Sequence, residues 1–210
     1  VGIGGGFEYG INGPTHAALE DLGAMRLQPA MQIVVPADEA QAANALRATY
    51  DLPGPVYYRI SKREGLHLPG LDGRFRLGRI ETILAGDDAL IASIGAITDE
   101  ALAAAELLRE EGIRATVAVV SSLNPAPVAD LVDLLARFPA AVTVEAHYAS
   151  GGLGSLVAEL IAEDGIDCRL QRCGVFAAPD AVSGGEAHMN QRHGIDRENI
   201  ARLLRKALCR

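Results

Sequence analysis

From residue 81 to the end of the chain, short apolar runs alternate with segments that have the periodicity of amphipathic helices. The runs at 89–94, 116–120 and 141–145 are apolar at most positions, so both faces of each predicted strand must be buried. Such strands are typical of a mostly parallel sheet with helices on both sides. The sequence therefore predicts a doubly wound α/β domain over 81–210, in which these three runs are neighbouring strands of one sheet.

The first 65 residues show the same alternation but too few elements for a complete domain. Strands are predicted at 32–35 and 56–60, with a helix between them that begins after Asp38 as N-cap and ends near Tyr50. Residues 17–25 are predicted to form a short helix capped by Thr15. We interpret 1–65 as the C-terminal part of another α/β domain, and the Gly-, Pro- and Arg-containing stretch 66–80 as a linker. Because the chain begins with Val1, we expect it to be part of a longer protein.

Composition argues against several function classes. A net charge of −8, the absence of Trp and an aromatic content of 4% are unlike a general nucleic-acid binder. No apolar run approaches the ~18 residues of a membrane span, so we expect no membrane partner. Three cysteines are too few for a disulfide framework, which indicates a reducing compartment, the cytoplasm. The His and Cys residues have no metal-ligand spacing, so no metal site is expected in these residues.

The turn GINGPTH at 10–16 is the strongest chemical signal. A histidine after a rigid Gly-Pro turn can present a proton donor to a cleft near neutral pH, although it can equally be a packed loop residue. Glu145 and His147 share one face at the end of a predicted strand, as a site or as a hydrogen-bonded pair at a boundary. The glycines of GGLG at 151–154 precede a helix, where free N–H groups bind an anion or allow close packing.

Three ordered blocks resemble the C-terminal half of transketolase-type enzymes that depend on thiamine diphosphate. The first is GINGPTH at 10–16 with LED at 19–21, MR at 25–26 and VPAD at 35–38. The second is SIGAIT at 93–98, and the third is VTVEAH at 142–147 with GGLGS at 151–155. The first block is similar to the family's pyrimidine-binding domain, and the other two to its C-terminal domain.

The resemblance implies the site residues. It implies that His16 is catalytic, hydrogen-bonding substrate oxygens and helping proton transfer. Asn12 stands where the family usually has an Asp that contacts a sugar hydroxyl, and an amide there carries no charge. Lys62 lies nearest the family's phosphate-binding Arg, with Arg59 three residues earlier, and the alternative is an ordinary cationic strand end.

In such enzymes the cofactor's carbanion moves a two-carbon ketol unit between sugars, here by implication sugar phosphates. The cofactor is thiamine diphosphate with Mg²⁺ or Ca²⁺, and its contacts precede the turn or lie in a separate N-terminal domain. The resemblance therefore implies that this segment alone binds no cofactor. It also implies a missing N-terminal cofactor-binding domain or subunit as partner, in a homodimer or heterotetramer.

Other assignments remain open. A deoxyxylulose-phosphate-synthase-like enzyme shares the Gly-Pro-Thr-His turn, although Glu20, Asp21 and Arg26 favour transketolase. A 2-oxoacid dehydrogenase β chain is a further enzymatic alternative, in which this turn is not expected. The non-enzymatic alternative is an assembly domain of a thiamine-diphosphate enzyme, and the substitution of Asn12 for Asp is compatible with it or with a new substrate.

Overall fold

The computed structural model describes residues 1–209. It contains nine strands, seven α-helices and two short 3-10 helices within that range. The strands are β1 (Gly2–Ile3), β2 (Gln32–Val34), β3 (Val56–Ile60), β4 (Ile80–Leu84), β5 (Ala89–Ile94), β6 (Ala115–Val120), β7 (Ser122–Asn124), β8 (Ala140–Tyr148) and β9 (Arg169–Val175). The helices are α1 (Asp21–Arg26), α2 (Glu39–Thr49), α3 (Thr98–Glu110), α4 (Val128–Leu135), α5 (Leu153–Asp164), α6 (Glu186–Arg192) and α7 (Arg197–Leu208). The 3-10 helices are Gly10–Asn12 and Pro14–His16.

The second half of the chain forms a five-stranded sheet in the order β4-β6-β5-β8-β9. All neighbours are parallel except the edge strand β4, which runs antiparallel to β6. Helices α3 and α7 cover one face of this sheet, and α4 and α5 cover the other. The strand at 89–94 pairs with both 116–120 and 141–145, so the predicted adjacency is confirmed. Apolar strands of this kind need helices on both faces, and the sheet has them.

A second, four-stranded sheet has the order β1-β3-β2-β7. Strands β1, β3 and β2 come from the first 60 residues and are parallel. Strand β7 comes from the second half of the chain and runs antiparallel to β2. The α/β class is confirmed, and the two parts of the chain share backbone hydrogen bonds as well as a packed boundary.

The helix predicted at 17–25 is wrong in its start and its cap. Residues 14–16 form a 3-10 helix, and Thr15 makes no side-chain cap. Ala18 then pairs with Gly6, with N–H to O distances of 2.8 and 3.0 Å in the two directions. This pairing keeps Ala18 extended, so the helix α1 begins only at Asp21. The other predicted caps agree: Asp38 and Asp196 accept from the backbone N–H three residues later.

The segment between β3 and β4 is irregular but packed. Leu68 and Leu71 are fully buried and contact Ala37 and Val119. The exposed guanidinium of Arg74 pairs with Glu81 at the start of the next sheet. The described helices include none with the length and apolarity needed to cross a membrane.

Candidate functional site

The turn at 10–16 is fixed by its own backbone. Asn12 N–H donates to Tyr9 O at 2.9 Å, and His16 N–H donates to Gly13 O at 3.1 Å. Gly13 has a φ of 86°, which places it in the left-handed region that favours glycine. Pro14 follows as the first residue of the second 3-10 helix, where its fixed φ suits the geometry. The turn therefore has little conformational freedom.

Asn12 and His16 both lie on the exposed side of this turn. The Nδ1 atom of His16 lies 3.1 Å from the Thr15 hydroxyl. Among the described residues, the opposite ring nitrogen, Nε2, has no hydrogen-bond partner and is free to contact a bound molecule. An imidazole held by one nitrogen and open at the other is suited to donating a hydrogen bond or shuttling a proton.

Lys62 lies beside the same turn. Its ammonium lies 4.1 Å from the centroid of the Tyr9 ring, and its backbone N–H donates to Glu8 Oε2 at 2.7 Å. The Tyr9 backbone also accepts the bond from Asn12, so Lys62 and Asn12 flank one residue. The sequence interpretation missed Glu8 and Tyr9, although a Phe-Glu-Tyr triplet among glycines was a signal that these side chains have neighbours to contact.

Arg59 is placed differently from the other predicted substrate-binding residues. Its side chain is only 6% exposed, and its Nε lies 3.0 Å from Asp21 Oδ2. One terminal nitrogen, Nη2, donates to Ala18 O at 2.6 Å and Ala146 O at 2.9 Å. Tyr57 also donates to Asp21. The guanidinium therefore joins the turn segment to strand β8 and does not reach the surface that carries His16.

Residues of the second half of the chain pack against the turn and the residues just before it. Gly184 N–H donates to Gly10 O at 3.1 Å. A Cβ on Gly10 would lie 2.7 Å from Gly184 O, so only glycine allows this approach. The ring of His193 stacks on Phe7 with a centroid distance of 4.6 Å. The segment around α6 therefore fixes the position of the turn.

A cluster of charged groups lies between Lys62 and α3. Arg63 donates to Asp99 at 2.5 Å and lies 4.0 Å from Glu186. Burial raises the pKa of Glu186 to about 7, and the nearby carboxylates of Glu8 and Asp99 act in the same direction. These groups connect the segment after β3 to α3 and α6. They lie next to the surface formed by Asn12, His16 and Lys62, which we call the exposed site.

Glu145 is fully buried and occupies the glycine-rich start of α5. Its two carboxyl oxygens accept from Leu153 N–H at 2.9 Å and Gly154 N–H at 2.8 Å. The group that occupies this helix N-terminus is therefore the chain's own carboxyl group. Burial raises the pKa of Glu145 to about 7, although the two N–H donors oppose this shift.

His147 is a contact between the two parts of the chain. Its Nε2 accepts from Gly23 N–H at 3.2 Å, so the ring proton is on Nδ1 and is donated to Tyr148 O at 2.7 Å. Burial lowers the pKa of this imidazole, which agrees with a neutral ring. Arg26 donates to the carbonyls of Gly151 and Gly152 in the same region. Glu145 and His147 do not form the predicted hydrogen-bonded pair, because His147 Nδ1 lies 3.8 Å from Glu145 Oε2. His147 lies at the boundary between the two parts of the chain, and Glu145 lies at the start of α5.

The donor groups that a metal ion needs are dispersed in this chain. Within residues 1–209, no three His, Cys, Asp or Glu side chains come together as a group that could hold a metal ion. These side chains therefore do not fit a resident metal ion.

The comparisons with known proteins agree with this architecture. The model of the transketolase pyrimidine-binding domain matches residues 1–66, and the model of the transketolase C-terminal domain matches residues 78–200. The chain belongs to the transketolase family.

Individual family members resemble the chain over nearly all of its length. A subunit of the apulose-4-phosphate transketolase from Phocaeicola vulgatus is 33% identical over 208 residues, which cover 96% of this chain and 64% of that subunit. A 1-deoxy-D-xylulose-5-phosphate synthase from Syntrophotalea carbinolica is 33% identical over 93% of this chain and 31% of its own length. A solved structure of a split-gene transketolase, an inactive beta4 tetramer, has a TM-score of 0.85 and 33% identity, and the match covers 98% of this chain and 64% of that one. The chain therefore spans slightly less than two thirds of the transketolase subunits and about a third of the synthase.

Proposed function

We propose that this chain is the C-terminal part of a thiamine-diphosphate-dependent transketolase that moves a two-carbon ketol unit between sugars. The observation that carries this proposal is the rigid turn that exposes one nitrogen of His16, in a chain of this family. The similarity to one subunit of a transketolase and to a split-gene transketolase supports it. In this proposal the 210 residues are inactive alone.

The residues of the exposed site have separate tasks in this reaction. His16 donates a hydrogen bond from its ring to a sugar oxygen and holds or passes the proton at that atom. Asn12 can both donate to and accept from a sugar hydroxyl, without placing a negative charge there. Lys62 provides a positive charge for a substrate phosphate as a point contact. For Arg59 we propose a positioning role, because its guanidinium is buried among Asp21 and two carbonyls.

The cofactor assignment rests on the family and on a partner. Thiamine diphosphate, with Mg²⁺ or Ca²⁺, supplies the carbon–carbon bond chemistry when bound. Because residues 1–209 bring no metal-holding group together, we propose that an N-terminal domain or subunit provides that site. The assembly is then a homodimer or heterotetramer, with 1–65 as pyrimidine-binding part, 66–80 as linker and 81–210 as C-terminal domain. The free thiols of Cys168 and Cys173 suit a cytoplasmic enzyme.

Two alternatives have specific support. The deoxyxylulose-phosphate-synthase relatives favour a synthase-like reaction. The buried contacts of Arg59 and His147 favour an assembly domain without chemistry of its own. A ketol-transfer assay on the assembled enzyme distinguishes both alternatives from a transketolase, because neither a synthase-like enzyme nor an inert domain gives ketose–aldose exchange.

The test of the site is His16→Ala in the complete enzyme with its cofactor-binding partner. Loss of one hydrogen bond to a developing alkoxide lowers kcat/KM by about 10²–10³. Thiamine-diphosphate affinity and melting temperature should be nearly unchanged, since His16 is exposed and buries little area. The matched control is His67→Ala, an exposed histidine outside the turn. Full activity of the His16 variant, or its unfolding, would contradict the assignment. Calorimetry on residues 1–210 alone should show no thiamine-diphosphate binding.

A further inference from the structure

The strand β9 has an open edge. Within residues 1–209, β9 pairs only with β8. Arg169 N–H donates to Pro139 O, on the β8 side. Because backbone groups alternate in direction along a strand, those of Leu170 and Arg172 point away from β8. The Leu170 carbonyl there accepts from the Gln171 side-chain amide at 3.2 Å. An edge with free backbone groups is a template for another strand.

A groove of ≈ 900 Å³ follows this edge, with α5 on one side and α6 and α7 on the other. Four cationic residues line it, and no Asp or Glu does: Arg172, Arg192, Arg202 and Lys206. Arg192 pairs with Asp180 outside the groove. Arg172 donates to Ala149 O at 3.0 Å. Within the described residues, Arg202 and Lys206 have no carboxylate at ion-pair distance. The groove therefore concentrates unpaired positive charge on a chain whose net charge is −8.

The spacing of these charges matches an extended peptide. Arg202 and Lys206 are four residues apart on α7, which separates them by about 6 Å along the helix. Alternate side chains of a β-strand are about 6.6 Å apart on one face. Leu203 lies between the two cations and presents apolar surface to the same groove. β9 is seven residues long and so spans about 23 Å, enough for a peptide of similar length.

We propose that the β9 edge binds an extended peptide segment of another protein that carries acidic residues at alternate positions. The peptide adds as a strand beside β9, so backbone hydrogen bonds hold it, and Arg202 and Lys206 on the α7 face of the sheet select the carboxylates at its alternate positions. A second copy of this chain is disfavoured as occupant, because two such grooves would place like charges together. This surface is separate from the turn that carries His16.

The experiment uses the natural assembly and fluorescence anisotropy with a labelled peptide of alternating Glu and Thr. Three probes accompany it: the corresponding Lys–Thr peptide, a Glu–Thr peptide N-methylated along one edge, and inorganic tripolyphosphate as competitor. We expect binding of the Glu–Thr peptide only, weakened when ionic strength rises from about 0.1 to about 1 M, where the Debye length falls from about 10 to about 3 Å.

The variant is Arg202→Glu with Lys206→Glu, which should weaken peptide binding by roughly tenfold or more. The matched control is Arg47→Glu, since Arg47 and Arg202 are both exposed and both donate to an Asn three residues earlier. If the double reversal lowers the melting temperature, Arg202→Gln with Lys206→Gln tests the same loss of charge. Ketol transfer should stay unchanged in all of them.

Four results would overturn the proposal. They are no binding of the Glu–Thr peptide, equal binding of the N-methylated peptide, displacement of the peptide by tripolyphosphate at comparable concentration, and dissociation of the assembly by the groove variant. The second and third would indicate a site for anions in general, and the last an interface between copies of the chain.

Discussion

Gly152→Ala is the substitution for which the structure gives the sharpest expectation. Gly152 has φ −92° and ψ −145°, outside the left-handed region that favours glycine, and the expected cost is that of the space around its α-carbon. An added Cβ would lie 1.8 Å from Glu145 Oε2 and 3.1 Å from His147 Nδ1. The carboxyl group cannot simply move aside, because Leu153 N–H and Gly154 N–H hold its two oxygens.

Two terms set the magnitude. Forcing a methyl group into a filled site costs about 1–3 kcal/mol. Pulling the carboxyl group from its buried N–H donors costs about 1.5–3 kcal/mol more. The variant should therefore lose about 2.5–6 kcal/mol of unfolding free energy. For a chain of this size each kcal/mol corresponds to about 2–4 °C, so the melting temperature should fall by about 5–24 °C.

Urea unfolding followed by circular dichroism measures this loss, with Gly185→Ala as the control. Gly185 is the N-cap of α6 as Gly152 is of α5, and it has nothing within 4 Å of an added Cβ, so its variant should cost about 1 kcal/mol or less. Combining Gly152→Ala with Glu145→Ala should cost at least about 1 kcal/mol less than the two single losses added together. A cost below about 1 kcal/mol for Gly152→Ala, or strict additivity, would refute the steric explanation.

Two further predictions concern buried charges. Burial raises the pKa of Glu145 to about 7, so its contribution to stability is complete below about pH 4.5 and is lost as the pH rises through 7. The unfolding free energy of Glu145→Gln relative to the parent protein should therefore rise by about 3 kcal/mol between about pH 4.5 and about pH 7. Urea titrations at several pH values measure this difference, and a difference that does not change with pH would contradict the prediction. Arg59→Met should cost about 3 kcal/mol, because it leaves Asp21 without its cation and two carbonyls without a donor. Arg47→Met is the exposed control, and equal melting temperatures for the two variants would show that the Arg59 contacts do not matter.

The sequence was sufficient for the elements whose pattern is local. The strands β5 and β6 are apolar at almost every position and β8 at most positions, and that pattern alone requires helices on both faces. Asp38 and Asp196 precede helices as N-caps, and each accepts the expected backbone bond. The positions of these strands in the sheet could also be predicted, because sequential strands of a doubly wound fold lie close together.

What the sequence did not reveal depends on contacts between distant residues. Strand β7 has only three residues, and it pairs with β2, which lies about 90 positions earlier in the sequence. The start of α1 is delayed because Ala18 bonds to Gly6. Arg59 follows two tyrosines and resembles a cationic strand end, and only the three-dimensional approach of Asp21 and Ala146 shows that it is buried. No local pattern contains this information.

The exposed site and the buried boundary are parts of one arrangement. His16 is at the surface, yet the turn that carries it rests on Gly184 and is anchored by the stacking of Phe7 on His193. The Arg59 guanidinium ties the next residues of the same segment to β8. A catalytic group must be positioned to within a fraction of an ångström, and a short exposed turn cannot achieve this by itself. The C-terminal sheet and its helices therefore contribute to the proposed chemistry by holding His16 in position. The residues that support the turn, Gly184 and His193, lie about 170 positions after His16 in the sequence.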